Sequence, residues 1–357
     1  MKLLHIITSL RTGGAEKLMI DLIHRLKEAG HDVDLLLFDG IDTHFRREAE
    51  NLGIKSFDLG VGGSVYSPTK FFKLLPYLSK YDIVHTHNTA PQLFAAIGSI
   101  GRNITLFTTE HNTTNRRRDK KYLKLFDKWM YNRYKKIICI SQKAEDNLNE
   151  YLGKSKADII TINNGIDISR FANATPSLEL ETIAPGTRKI IMVAGFRDQK
   201  DQPTLIRSLK ELPEVFHVFL VGDGERRSEF EELVKSLNLY ERVHFLGIRE
   251  DIPELLKASD YIALSSHYEG LSLSSVEGMA AGKPFLASNV DGLKEVVKDA
   301  GILFPEGDSK ALAEEIKKLD SDRSFYEEIS HKCFEHSKQF DISKMIEGYL
   351  EVYSKLL

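Results

Sequence analysis

Two acidic side chains carry the strongest chemical signal in this chain. Glu269 and Glu277 lie in the segment HYEGLSLSSVEGMAAGKP at 267–284, with seven residues between them. The apolar run YIALSS precedes the first, and a helical pattern from about Ser272 contains the second. Gly270 suits a turn between strand and helix, and Ser272 has the side chain of a helix N-cap. The first turn of a helix presents backbone N–H groups without internal partners and the positive end of the helix dipole, a combination that suits a phosphate. Glu269 falls at the carboxyl edge of the strand and Glu277 between one and two turns into the helix. Both can face one ligand, one on each side of a diphosphate. Taken alone, two glutamates at this spacing are more often the acids of a capped surface helix. The strand–glycine–helix context and the small residues Gly278, Ala280, Ala281 and Gly282 weigh against that.

Further candidates are scattered along the chain. Gly13 and Gly14 sit in TSLRTGGAEKL, where a plain tight turn competes with a loop whose backbone approaches a phosphate closely. His111 follows the apolar run LFTTE, and Arg197 and Lys200 follow KIIMVAG at 189–195. VGDGERR at 221–227 begins like a dinucleotide fingerprint, but Arg227 occupies the place of the third glycine, so the pattern is incomplete. His85 and His87 alternate on a strand and share a face; two histidines fall short of the three or four ligands of a zinc site. Asp32–Asp34 and Asp320–Asp322 spell Asp-x-Asp pairs, but neither follows a strand where a nucleotide would bind, so both read as surface carboxylates.

The elements that must position these groups alternate along the chain. Strand patterns occur at 2–8, 33–38, 82–86, 104–109, 136–140 and 158–162, with helical patterns between them, for example 15–29 and 69–80. A polar stretch at 172–188 reads as a linker, after which strand patterns resume at 189–195, 215–221, 243–246, 260–264, 284–287 and 301–304. Strand–helix alternation implies parallel sheets covered by helices on both faces. The fold class is therefore α/β, as two doubly wound Rossmann-like domains with a cleft between them. The expected domains are 1–168, on the acceptor side, and 169–340, which binds the nucleotide, followed by a C-terminal helix at 341–357 that packs back on the first. Ligands of such sheets bind outside the carboxyl ends of the strands.

Composition sets outer bounds. The chain has 357 residues and a formal net charge of -3, so no global field points to nucleic acid. Cys139 and Cys333 do not make a disulfide framework. The N-terminal run MKLLHIITSL reads as a first strand, and no apolar run approaches the ~18 residues of a membrane span. One stretch stands apart. Residues 116–136 hold ten basic and two acidic side chains, with Tyr122, Leu125, Phe126 and Trp129 interleaved at helical spacing. A basic amphipathic helix with aromatics suits an anionic membrane surface or a lipid-diphosphate acceptor, unless its aromatics face the core.

The segment 267–284 resembles the donor-binding signature of the family 4 glycosyltransferases, of the bacterial polysaccharide-biosynthesis type. The resemblance extends over nearly the whole chain, through TSLRTGGAEKL, DIVHTH, TTEHNTT, NNGID, QKDQPTLI, VGDGERR, VHFLG and KEVV in the family's order. It implies a GT-B fold and transfer of a hexose-type sugar, with retained configuration, from a nucleoside diphosphate sugar, UDP before GDP. The acceptor would be a glycan or polyprenyl-diphosphate-linked saccharide hydroxyl. No metal or other cofactor is implied, the nucleotide sugar being a substrate. Glu269 would bond the donor sugar's hydroxyls. The N–H groups of Gly270, Leu271 and Ser272 would hold the diphosphate, and Glu277 the ribose. Lys200 would neutralise the departing diphosphate, and His111 would lie beside the anomeric carbon. The backbone of Gly13 and Gly14 would approach the phosphates, and that of Gly247 and Ile248 the base. Relatives usually carry an arginine five residues before the lysine; this chain has Gly195 there, with Arg197 as a nearby substitute.

The reading is thus a cytoplasmic glycosyltransferase, peripheral at the inner face of the plasma membrane if the basic stretch binds there. The rival readings are a dinucleotide-dependent oxidoreductase, which lacks its full glycine fingerprint here, and a non-catalytic nucleotide-sugar binder.

Overall fold

The structure is a computed structural model that describes residues 1–11, 14–111, 118, 121–153 and 156–355. The chain divides into two compact units, Met1–Gly165 with Ile342–Leu357, and Ile166–Asp341.

The first unit holds seven parallel strands: β1 (Lys2–Ile7), β2 (Asp32–Leu37), β3 (Ser56–Asp58), β4 (Ile83–His87), β5 (Leu106–Glu110), β6 (Lys136–Cys139) and β7 (Asp158–Thr161). Their order in the sheet is β3-β2-β1-β4-β5-β6-β7. Apolar strands such as KLLHII exist because both sheet faces are covered. Leu3 and Ile7 of β1 join one buried cluster, which includes the helices Gly14–Glu28 and Ile342–Ser354. Leu4 and Ile6 point the other way, into the cluster under Pro68–Leu78 and Thr89–Gly98. The helix Ile342–Ser354 buries Ile342, Met345, Ile346, Tyr349, Val352 and Tyr353, the three-and-four spacing of one helical face.

The second unit repeats the plan with β8 (Arg188–Val193), β9 (Phe216–Val221), β10 (Val243–Gly247), β11 (Tyr261–Leu264), β12 (Phe285–Ser288) and β13 (Ile302–Phe304), ordered β10-β9-β8-β11-β12-β13. In each sheet the strand order reverses between the first and fourth strands of the unit, so the crevice for a ligand opens outside the carboxyl ends of β1 and β4, and of β8 and β11.

The strand patterns read from the sequence appear in these sheets. The strand they lack is β3, whose three residues are at most half-buried and carry no apolar run. The stretch 172–188 is not a linker. It contains the helix Glu179–Ile183, whose Leu180 is fully buried in the core of the second unit. The polar residues and prolines around that helix conceal a single anchoring side chain.

Candidate functional site

The switch point of the second unit brings the predicted donor residues together. The loop after β8 and the loop after β11 are laced to each other. His267 N–H donates to the Gln199 carbonyl at 2.8 Å, and Gln199 Nε2 donates to the Tyr268 carbonyl at 2.8 Å. Ser265 Oγ donates to the Asp201 carbonyl at 2.7 Å. This lacing carries Lys200 Nζ to 2.5 Å from Glu269 Oε1, which also accepts from Ser266 Oγ at 2.6 Å. The Glu269 side chain is 7% exposed and that of Lys200 18% exposed, so the pair is shielded from water. Arg197, at the entrance to the same loop, is exposed.

The helix Leu273–Ala280 starts where the sequence places it. Ser272 caps it, its hydroxyl accepting from Ser275 N–H at 3.3 Å. Among the described residues, the amides of Gly270, Leu271 and Ser272 have no hydrogen-bond acceptor. They form a row of free donors beside the Lys200–Glu269 pair, and helix ends supply such groups to anions. Glu277 projects from the same helix, partly buried and without a hydrogen-bond partner among the described residues. Desolvation pushes its carboxyl up to about 7, against the opposing pull of the Arg170 guanidinium. A carboxylate that is costly to charge and lacks a donor is a ready acceptor for ligand hydroxyls.

Gly247 ends β10 with φ +68, a left-handed conformation that favours glycine, and its carbonyl accepts from Gly222 N–H at 2.8 Å. Ile248 follows with 71% of its surface exposed. Gly14 opens the first helix of the chain; Gly13 lies outside the described residues.

His111 directly follows β5 in the first unit. Its Nε2 meets His87 Nδ1 at 2.9 Å, and its Nδ1 is buried without a partner among the described residues. Burial lowers the imidazole to about 4, opposed by the neighbouring Glu110 charge. His5 joins His85 and His87, with ligand atoms within 4.8 Å of one another. Sequence spacing linked only the last two. Adjacency of β1 and β4, with His5 directly opposite His85, supplies the third. The three rings stack at 4.6 to 5.3 Å, with planes within 17°. Their nitrogens are bonded to one another and to His111, Thr109 and Tyr353.

Other residues escaped the sequence reading. Glu110 is buried and accepts from Gln92 Nε2 at 2.6 Å, Tyr131 hydroxyl at 2.7 Å and Arg118 Nη2 at 2.9 Å. Arg118 therefore points inward, which removes it from the basic surface expected over 116–136. Arg116 and Arg117 lie outside the described residues. Along the helix Lys124–Tyr131 and the turn before it, Leu125 is 82% exposed, Tyr122 76%, and Phe126 and Trp129 about 40%. These apolar side chains do not face the core. Gly292, with φ +85, lies so close to the site that an added Cβ would stand 2.2 Å from the Glu269 carbonyl oxygen. Asp34 is buried, bonded by the Tyr81 hydroxyl at 2.6 Å, rather than a surface acid. A cavity of about 680 Å³ lined by Lys257, Asp260, Lys283 and Arg323 opens at the amino ends of β11 and β12, away from the donor loops.

The two doubly wound sheets and the switch-point site define a GT-B glycosyltransferase. Residues 12–170 match the model of "Glycosyltransferase Family 4", and residues 179–339 that of "Glycosyl transferases group 1". The chain belongs to the family 4 glycosyltransferases. It is 26% identical over 97% of its length to the N-acetyl-alpha-D-glucosaminyl L-malate synthase of Bacillus anthracis, of which it covers 94%. It is 28% identical over 71% of its length to the UDP-Gal:alpha-D-GlcNAc-diphosphoundecaprenol alpha-1,3-galactosyltransferase of Escherichia coli, covering 69% of that chain. The structure of Anabaena HepE in complex with UDP-glucose matches with a TM-score of 0.86 at 25% identity, over 99% of this chain and 100% of that one.

Proposed function

We propose that this glycosyltransferase moves a hexose-type sugar from a UDP-sugar, with retention of configuration, to a hydroxyl of a saccharide carried on a polyprenyl diphosphate. The observation that carries the reading is the Lys200–Glu269 pair set beside three amides and a Glu277 carboxyl that have no hydrogen-bond partner among the described residues. The amides of Gly270, Leu271 and Ser272 bind the diphosphate. Glu277 accepts from the ribose hydroxyls, Glu269 orients the sugar, and the Gly247–Ile248 backbone meets the base. The glycosidic C–O bond to the diphosphate breaks as the acceptor oxygen bonds to the anomeric carbon from the same face, and the acceptor's proton passes to the leaving phosphate. Lys200, with Arg197 in the role of the arginine absent at Gly195, stabilises the charge that develops there. Catalysis on this reading is positioning plus fixed electrostatics. The role proposed for His111 is to act on the transferred sugar. The names of the Escherichia coli relative and of the HepE complex support the choice of UDP and of a lipid-linked acceptor. Exposed Tyr122, Leu125, Phe126 and Trp129, with Lys124 and Lys128 beside them, form the face that meets an anionic membrane.

A panel of UDP- and GDP-sugars followed by thermal shift tests the donor. At 100 times its dissociation constant a ligand adds about 2.7 kcal/mol. Because cationic side chains and amides take the leaving-group charge, turnover persists in EDTA. No shift with any UDP-sugar, or EDTA inhibition reversed by manganese, overturns the reading.

A further inference from the structure

Asp201 combines two features that buried loop residues rarely share. Its backbone has φ 47 and ψ 48, in the left-handed region, where a side chain is strained. Its carboxyl is buried: Oδ1 accepts from Thr204 N–H at 3.3 Å, and Oδ2 has no partner among the described residues. Burial raises this carboxyl above the ordinary carboxylate range, opposed by the Thr204 hydrogen bond and by His267 nearby. Both features cost stability. Backbone strain persists only where the surrounding structure holds it, and it collects at functional sites.

The strain falls at a break in the chain. Asp201 ends the short turn Asp198–Lys200 and caps the helix Gln202–Ser208. Pro203, in the first turn of that helix, has no N–H to give the Gln199 carbonyl, and in a continuous helix its ring would collide with that group. The carbonyl accepts from His267 N–H instead, at 2.8 Å. The left-handed residue makes the required turn, and both sides of it are tied down. Ser265 Oγ donates to the Asp201 carbonyl at 2.7 Å, and Gln202 Nε2 to the Gly195 carbonyl at 3.1 Å. Leu205 and Ile206, both fully buried, fix the helix in the core. A change of conformation at 201 therefore moves the segment before it. The residue immediately before it is Lys200, whose Nζ lies 2.5 Å from Glu269 Oε1.

We propose that Asp201 is a positioning residue: its left-handed backbone, steadied by its own capping carboxylate, holds the Lys200 ammonium against Glu269. Aspartate suits the place because its short polar side chain bonds locally and tolerates this region, whereas a branched side chain does not. What the ammonium then does rests on the proposed function, in which Lys200 takes the charge of the departing diphosphate. Its placement does not.

Three substitutions in the full chain separate the backbone from the carboxylate. Asp201→Asn keeps both a capping oxygen and tolerance of the left-handed region. Asp201→Gly keeps the conformation and drops the cap, whereas Asp201→Thr keeps a capping oxygen on a branched side chain that rejects the conformation. Acetylation of Lys200 by acetic anhydride, followed by peptide mass spectrometry, reads the placement of the ammonium without substrate. We expect slow labelling in wild type, Asn and Gly, and labelling several-fold faster in Thr, where the ammonium leaves its partner. On turnover, Asn and Gly stay within a few-fold of wild type, and Thr loses about tenfold or more in kcat, as the fixed charge at the leaving group is displaced. In a Lys200→Ala background Asp201→Thr changes kcat no further, because it acts through the lysine. Wild-type labelling in Thr overturns the proposal. So does Gly labelling as fast as Thr, which would give the role to the carboxylate, or a further loss of kcat in the Lys200→Ala background. Should the Thr variant not fold, Asp201→Ala, a milder obstacle to the same conformation, is read in the same way. Absence of turnover with every nucleotide sugar alongside the expected labelling strikes the proposed function and spares the positioning.

Discussion

Glu277→Gln separates binding from stability in a way that few substitutions at a ligand site do. Desolvation pushes the carboxyl up to about 7 from an ordinary 4.5. At about 1.4 kcal/mol per pH unit, that difference corresponds to ~3 kcal/mol. The side chain keeps part of its surface in water, so ~1–3 kcal/mol is the usable range. A carboxyl raised in the folded state binds its proton more tightly there than in the unfolded chain. Wild-type stability contributed by this group is therefore lowest above pH 7 and rises as pH falls from 8 towards 4.5. Gln has no charge to desolvate. At pH 8 the variant should melt ~2–10 °C above wild type, from the usual conversion for units of this size, and by pH 5 the gap should shrink several-fold. The same change should weaken UDP binding by ~1–3 kcal/mol at pH 8, since a charged acceptor for the ribose hydroxyls is lost. Wild-type affinity should fall more steeply than the variant's as pH drops through 7, by up to about tenfold per pH unit beyond the change that titration of the UDP phosphate gives both. Differential scanning calorimetry and isothermal titration at pH 5 and 8 measure all four quantities. A variant less stable than wild type at pH 8, or equal in UDP affinity, refutes the desolvated-acceptor argument.

Three further perturbations follow from the same geometry. His111→Ala should remove most transfer, by ~10²-fold or more if the side chain acts on the reacting centre, with UDP affinity unchanged by titration; loss of affinity at constant kcat reverses its role. Gly292→Ala should lower stability by ~1–3 kcal/mol and activity with it, because its Cβ meets the Glu269 carbonyl at 2.2 Å in a left-handed backbone; a wild-type melting temperature and rate would show that the 267–272 loop yields freely. Leu125→Ser with Trp129→Ser should abolish salt-sensitive sedimentation with anionic vesicles, where each nearby lysine contributes about 1 kcal/mol; wild type failing to pellet at low salt ends the membrane reading and leaves the donor site untouched.

The sequence by itself determined what is local. Strand β11, the turn at Gly270, the Ser272 cap and the helix bearing Glu277 are all legible, because alternation, caps and helical periodicity act over a few residues. The two-unit α/β plan follows by the same signals, whereas three-residue β3 and the five-residue helix Glu179–Ile183 are too short to register. Tertiary structure decided everything that joins distant segments. Glu269 and Lys200 are 69 positions apart, and only the adjacency of β8 with β11 and the lacing of their loops make them a pair. Arg118 looked like one cation among ten until the buried Glu110 claimed it. His5 is 348 positions from Tyr353, and nothing in either neighbourhood predicts that the last helix would bring a hydroxyl to a histidine of the first sheet. Strand order and register bring such groups within 3.5 Å, and in a desolvated interior that proximity, rather than residue type, decides how they share charge and protons.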